Sequence, residues 1–204
     1  MSHYRSISPF TTWRRWMWQD ADAPDAQGVA LAVANALEKL VTRNDLVAAD
    51  SEQSGGQDAA GRGTAAFCGP RRPGISIENY IERIHSYALC SPACLVAAFV
   101  YLDRAVHRRP DLLVGSLNVH RLLLTAVMIA SKFFDTMPQN NAFYAKVGGV
   151  SNADLNKMEV ELLFLLDFGI NVTSLEFESY CSYLEKEMVA SNHRKGAGSD
   201  VDLL

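Results

Sequence analysis

Leu122-Leu123-Leu124-Thr125-Ala126-Val127-Met128-Ile129-Ala130-Ser131-Lys132-Phe133-Phe134 is the stretch whose reading decides the fold. It leaves no polar face, and a helix without one is buried on all sides. Lys132 is its one charge and stands at the C-terminal end, where the negative end of the helix dipole favours a cation. A central helix wrapped by others, with a lysine at its end, is a specific architectural statement.

Helical signals surround this stretch. Ser76 can cap a helix through Tyr80, Ile81, Ile84, Tyr87 and Ala88, and Ser91-Pro92 sets a capping residue before proline at the first helical position. That second helix runs through Leu95, Phe99 and Leu102 to Arg109-Pro110, and the central helix starts near Ser116 or Asn118. A short helix at Ala142–Lys146 ends at Gly148-Gly149, which suits a left-handed C-cap. Ser151 with Asp154 resembles a capping box for a helix carrying Leu155, Met158, Leu162, Leu165 and Leu166, and Phe177–Met188 is the last candidate. Short turns join these helices and no strand is convincing, so the domain is all-α, a five-helix bundle around a central buried helix.

Upstream, Val29, Val33, Leu37, Leu40 and Val41 form one apolar stripe and predict an additional N-terminal helix over 28–48 that packs on the bundle. Residues 1–27 read as a disordered leader, although Trp13, Arg14, Arg15, Trp16, Met17 and Trp18 crowd three tryptophans against two arginines. Residues 49–74, with Ser54-Gly55-Gly56, Gly61-Arg62-Gly63 and Pro70–Gly74, read as a flexible linker. The domain itself spans 75–190, and 191–204 is expected to be a disordered tail.

Composition narrows the function classes. The net charge is −4, and the acidic excess lies in 73–190, with 9 basic against 13 acidic side chains. That balance argues against a nucleic-acid backbone as partner. No run approaches the ~18 apolar residues of a membrane span, and no secretory signal is expected. The cysteines Cys68, Cys90, Cys94 and Cys181 form no C-x-x-C pair, and His3, His85, His107, His120 and His193 are scattered singly. Neither set has metal-ligand spacing, so no metal, cofactor, catalytic residue or small-molecule substrate is expected, and the thiols point to a reducing, intracellular place.

The ordered set Tyr101-Leu102-Asp103-Arg104, Ile129-Ala130-Ser131-Lys132-Phe133, Asn140-Asn141, Lys146-Val147-Gly148-Gly149 and Met158-Glu159, on successive helices, resembles the cyclin box. Tyr180-Cys181-Ser182-Tyr183-Leu184 and the single box are similar to the plant U-type (P-type) cyclins and to the fungal phosphate-regulon cyclins. The resemblance implies a single cyclin-box fold and a non-catalytic regulatory subunit that binds and activates a cyclin-dependent kinase. The output would be cell-cycle or phosphate-linked signalling, in nucleus or cytoplasm; the alternative is a cyclin-fold transcription or scaffold protein. Carried over residue by residue, Lys132 and Glu159 would contact the kinase, with Ile129, Phe133, Leu163, Phe168 and Ile170 as apolar neighbours. Arg83 and Asp103 would form a half-buried structural ion pair. Where mitotic cyclins dock substrates with a methionine, a leucine and a tryptophan, this chain has Glu82, Ser86 and Leu89.

Overall fold

Side-chain caps start four helices where the local chemistry marks them. Ser76 Oγ accepts from the Asn79 N–H at 3.2 Å, Asn140 Oδ1 from Phe143 at 2.9 Å, Ser151 Oγ from Asp154 at 3.0 Å and Thr173 Oγ1 from Glu176 at 3.3 Å. The computed structural model describes residues 26–53 and 65–197. Among these the helices are α1 (Ala26–Gln53), α2 (Ile77–Ala88), α3 (Pro92–Arg108), α4 (Val119–Phe134), α5 (Asn141–Gly148), α6 (Asn152–Leu165) and α7 (Ser174–Ala197), with no strand. The Trp/Arg-rich leader lies outside the described residues.

Helix α4 is the centre: Leu122 through Ser131 are all buried, and α2, α3, α5 and α6 pack around it. Helix α3 is buried almost as completely, because Ala93, Ala97 and Ala98 let neighbours approach its backbone. Its other side is covered by α1 and α7, which also pack on each other. In α1, Val29, Val33, Leu37 and Val41 face inward as the stripe requires, while Leu40 is only partly buried. Asn44 Nδ2 donates to the Val114 carbonyl at 3.0 Å, Asp45 takes the Ser116 N–H and hydroxyl, and Lys39 pairs with Glu187 of α7.

Three boundaries differ from the sequence reading. Helix α1 begins at Ala26 and continues to Gln53, into the stretch read as linker. The end of that stretch is anchored as well: Phe67 is fully buried, Gly69 N–H donates to the Leu117 carbonyl at 2.8 Å, and Arg121 Nη1 to the Ala66 carbonyl at 3.2 Å. One buried phenylalanine and two hydrogen bonds to the backbone dock the end of this glycine-rich run. Helix α7 begins at Ser174 rather than Phe177 and runs to Ala197, past the expected start of the tail at 191. Its last turns carry Ser191-Asn192-His193-Arg194-Lys195, which has no apolar periodicity to announce a helix.

Candidate functional site

The last turn of α4 leaves the core at Lys132. Its Nζ donates to Glu159 Oε1 of α6 at 2.6 Å, with the two side chains 34% and 19% exposed. Asn141, the first residue of α5, donates from Nδ2 to Glu159 Oε2 at 2.7 Å and to Asn156 Oδ1 at 2.7 Å. Three helices therefore meet at one carboxylate. Both of its oxygens are engaged, yet the group remains within reach of a partner.

Apolar side chains follow these residues on α4, on α6 and in the turn after α6. Phe133 and Phe168 are exposed, while Leu163 and Ile170 are half-buried and lean on the core. Ile129 is not part of this face: at 3% exposure it belongs to the core, one turn too far down α4. The structure adds residues that the sequence reading did not name. Val160 and Phe164 stand exposed on α6 with Phe168 beyond them, and Met137 follows α4. Phe164 is 67% and Phe168 59% exposed, and their rings meet edge to face at 5.3 Å. Their signal was in the sequence: 160, 164 and 168 repeat every fourth residue, beside the buried Leu155-Met158-Leu162-Leu165 row.

The turn that presents Phe168 is tightly held. Asp167 and Phe168 both adopt left-handed backbone angles (φ 50° and 53°), a conformation costing about 1–2 kcal/mol for a non-glycine residue. Arg104 of α3 offsets that cost. Its guanidinium donates to the Gly169 carbonyl at 2.5 Å and the Asn171 carbonyl at 3.0 Å, and takes Glu176 of α7 through both oxygens. Tyr101 OH donates to the Ile170 carbonyl at 2.7 Å. Three successive carbonyls are thus fixed from α3.

The expected Arg83–Asp103 pair is not formed. Arg83 is exposed on α2, whereas Asp103 lies on the face of α3 that meets α7, where Phe99 packs against the rings of Tyr180 and Tyr183. Asp103 Oδ2 accepts from Tyr180 OH at 2.5 Å and lies 3.3 Å from His107 Nδ1. Burial, with the Asp103 acceptor second, pushes the Tyr180 phenol well above its usual range. Among the described residues the half-buried arginine pair is Arg104–Glu176.

The four thiols are free, and Cys90, Cys94 and Cys181 are buried. Burial pushes the Cys90 thiol up to about 12, with Asp135 adding to the effect. Among the described residues no His/Cys/Asp/Glu group is arranged to hold a metal, and no helix is long and apolar enough to cross a membrane. The arrangement at Glu159 is a partly exposed ion pair with both carboxylate oxygens held, and what it offers chemically is a fixed pattern of charge.

A family model for cyclins matches residues 28–170, a range that contains the whole face. Cyclin-U1-1 of Arabidopsis thaliana is 55% identical over 160 residues, covering 78% of this chain and 73% of that protein. Cyclin-U4-1 of the same plant is 48% identical over 156 residues, covering 76% and 74%. Cyclin-P1-1 of Oryza sativa subsp. japonica is 49% identical over 160 residues, covering 76% and 60%.

Proposed function

The chain belongs to the cyclin family, and from that premise we propose that it binds a cyclin-dependent kinase through the face around Lys132 and Glu159 and activates it. The observation that carries this reading is the placement of the pair. A lysine and a glutamate are locked together at 2.6 Å on the rim of an otherwise apolar core, with Phe133 exposed next to Lys132 in the chain and Phe164 and Phe168 exposed at the end of α6 and in the turn after it. Such a centre fixes the register of a partner, and the aromatics supply affinity. A kinase becomes competent when its C-helix is pressed inward so that its own lysine–glutamate pair forms. A rigid bundle face does this with no chemistry of its own, so the chain acts as a regulatory subunit. Free thiols support an intracellular setting, nuclear or cytoplasmic, and the kinase output would serve cell-cycle or phosphate-linked signalling.

The test is reconstitution with recombinant plant cyclin-dependent kinase catalytic subunits, read as histone phosphorylation and as direct binding. Wild-type chain should bind one of them and raise its activity. Lys132→Ala with Glu159→Ala should abolish both while Tm and helical content stay nearly unchanged, since a pair at the rim removed together contributes about 0–1 kcal/mol to stability. Undiminished binding by the double variant would refute the face. Binding without activation would turn the reading to a scaffold.

A further inference from the structure

We propose that Asn141 is a positioning residue of this face, holding the Glu159 carboxylate, and through it Lys132, in the geometry presented to the kinase. The inference rests on the reading of the Lys132–Glu159 face given above.

Asn140 and Asn141 are neighbours with separate tasks. Asn140 caps α5 by accepting from the Phe143 N–H, so its side chain is spent locally. Asn141 turns instead to α6. Its amide nitrogen lies 2.7 Å from Asn156 Oδ1 and 2.7 Å from Glu159 Oε2, two side-chain oxygens one helical turn apart. The Glu159 oxygen is an acceptor, so the atom facing it must be the NH2 group, which settles the orientation of the amide. Each of its two hydrogens then has an acceptor.

The consequence falls on Glu159. A glutamate on an exposed helix face has three rotatable side-chain bonds and loses rotamer entropy when a partner fixes it. Here Lys132 holds Oε1 and Asn141 holds Oε2, so the carboxylate is set before the partner arrives. An amide does this without adding charge, which leaves the Lys132–Glu159 pair balanced and the carboxylate's remaining lone pairs available. A lysine or arginine at 141 would compete with Lys132 for the same group.

Asn141 opens α5 and is only half-buried, so its substitution leaves the fold intact. Two readouts test the proposal on the full chain. The first is the acylation rate of Lys132 by an amine-reactive reagent, followed by mass spectrometry. Asn141→Ala should raise it on the order of 2- to 10-fold, the range of one net hydrogen bond, with Tm held near wild type; Asn141→Asp is read by affinity alone, because its carboxylate can itself pair with Lys132. The second is affinity for the plant kinase that wild type binds. Both variants should weaken it by a similar factor, the aspartate at least as much as the alanine because its carboxylate repels Glu159. In the Glu159→Ala background, Asn141→Ala should weaken affinity no further. An unchanged Lys132 rate, an aspartate variant equal to wild type, or an equal loss of affinity in both backgrounds would overturn the proposal. Failure of the kinase face would show separately, as full affinity in the Lys132→Ala, Glu159→Ala chain.

Discussion

Leu124 occupies the space in which a side chain at Gly148 would stand: a Cβ on Gly148 would lie 2.1 Å from Leu124 Cδ2 and 2.8 Å from Cδ1. The end of α5 is therefore pressed onto the middle of α4, and Tyr80 OH fastens the same residue by donating to the Gly148 carbonyl at 3.0 Å. Leu124 is fully buried in the core, so making room for a Cβ means repacking its side chain. Gly148→Ala should thus destabilise by about 1–3 kcal/mol through overpacking, although alanine is the better helix former. For a domain of this size that is a fall in Tm of about 2–4 °C per kcal/mol. A thermal melt at neutral pH checks it.

Arg104→Ala should lower stability and kinase affinity together. The substitution strands Glu176 and releases the Gly169 and Asn171 carbonyls, leaving the strained Phe168 turn without its brace. Breaking a fully buried pair costs about 3–5 kcal/mol. This one is partly exposed, so about 1–3 kcal/mol is expected. Urea denaturation gives the stability loss, and binding measured well below the new Tm isolates the effect on the Phe168 turn.

Arg83→Ala should leave stability within about 0.5 kcal/mol of wild type, because the side chain is exposed and the Asp103 carboxylate accepts instead from Tyr180. Tyr180→Phe, by contrast, removes a hydrogen bond to a carboxylate and should cost about 1–2 kcal/mol. Parallel melts of the two variants decide between the pair expected from family resemblance and the one observed.

Alkaline pH should destabilise the fold. Cys90, whose thiol is pushed from 9.0 up to about 12, stays protonated in the native state while its unfolded counterpart ionises. Cys94 and Cys181 are raised by burial in the same sense. Above about pH 9 the unfolded chain binds fewer protons than the native one, so stability falls as pH rises, by up to about 1.4 kcal/mol per pH unit for each such group. Tm measured between pH 8 and 10.5 should drop, and Cys90→Ala should make the drop shallower. The same burial predicts that a thiol-alkylating reagent reaches Cys68 first in the native protein and the other three only on unfolding.

The core was legible because its signals are local. The apolar run of α4, the Ser76 and Ser151 caps and the Gly148-Gly149 stop are each written within a few residues of where they act, whereas Ser91, also expected to cap, turns its hydroxyl to Asp135 at 3.1 Å instead. Lys132 and Glu159 were legible only through family resemblance, since nothing local joins residues 27 apart. The Arg104–Glu176 clamp spans 72 residues and has no local signature; the resemblance pointed instead to Arg83 and Asp103. Ile129 shares the α4 face of Lys132 in projection, yet three residues of rise separate core from rim. Phe67 was hidden by its glycine-rich surroundings, and the end of α7 by its polarity.

The joining of α1 to α7 also decides where attachments lead. These two helices stack on each other over α2 and α3, while the carboxylate of Glu159 sits where α4, α5 and α6 meet. A fluorescent reporter, a surface tether or a second module spliced onto the start of α1 or the end of α7 would join a helix that supplies no partner to the Glu159 carboxylate. Such fusions should leave the Lys132–Glu159–Asn141 bonds unaltered, so either end can serve as the handle for imaging or immobilising this protein.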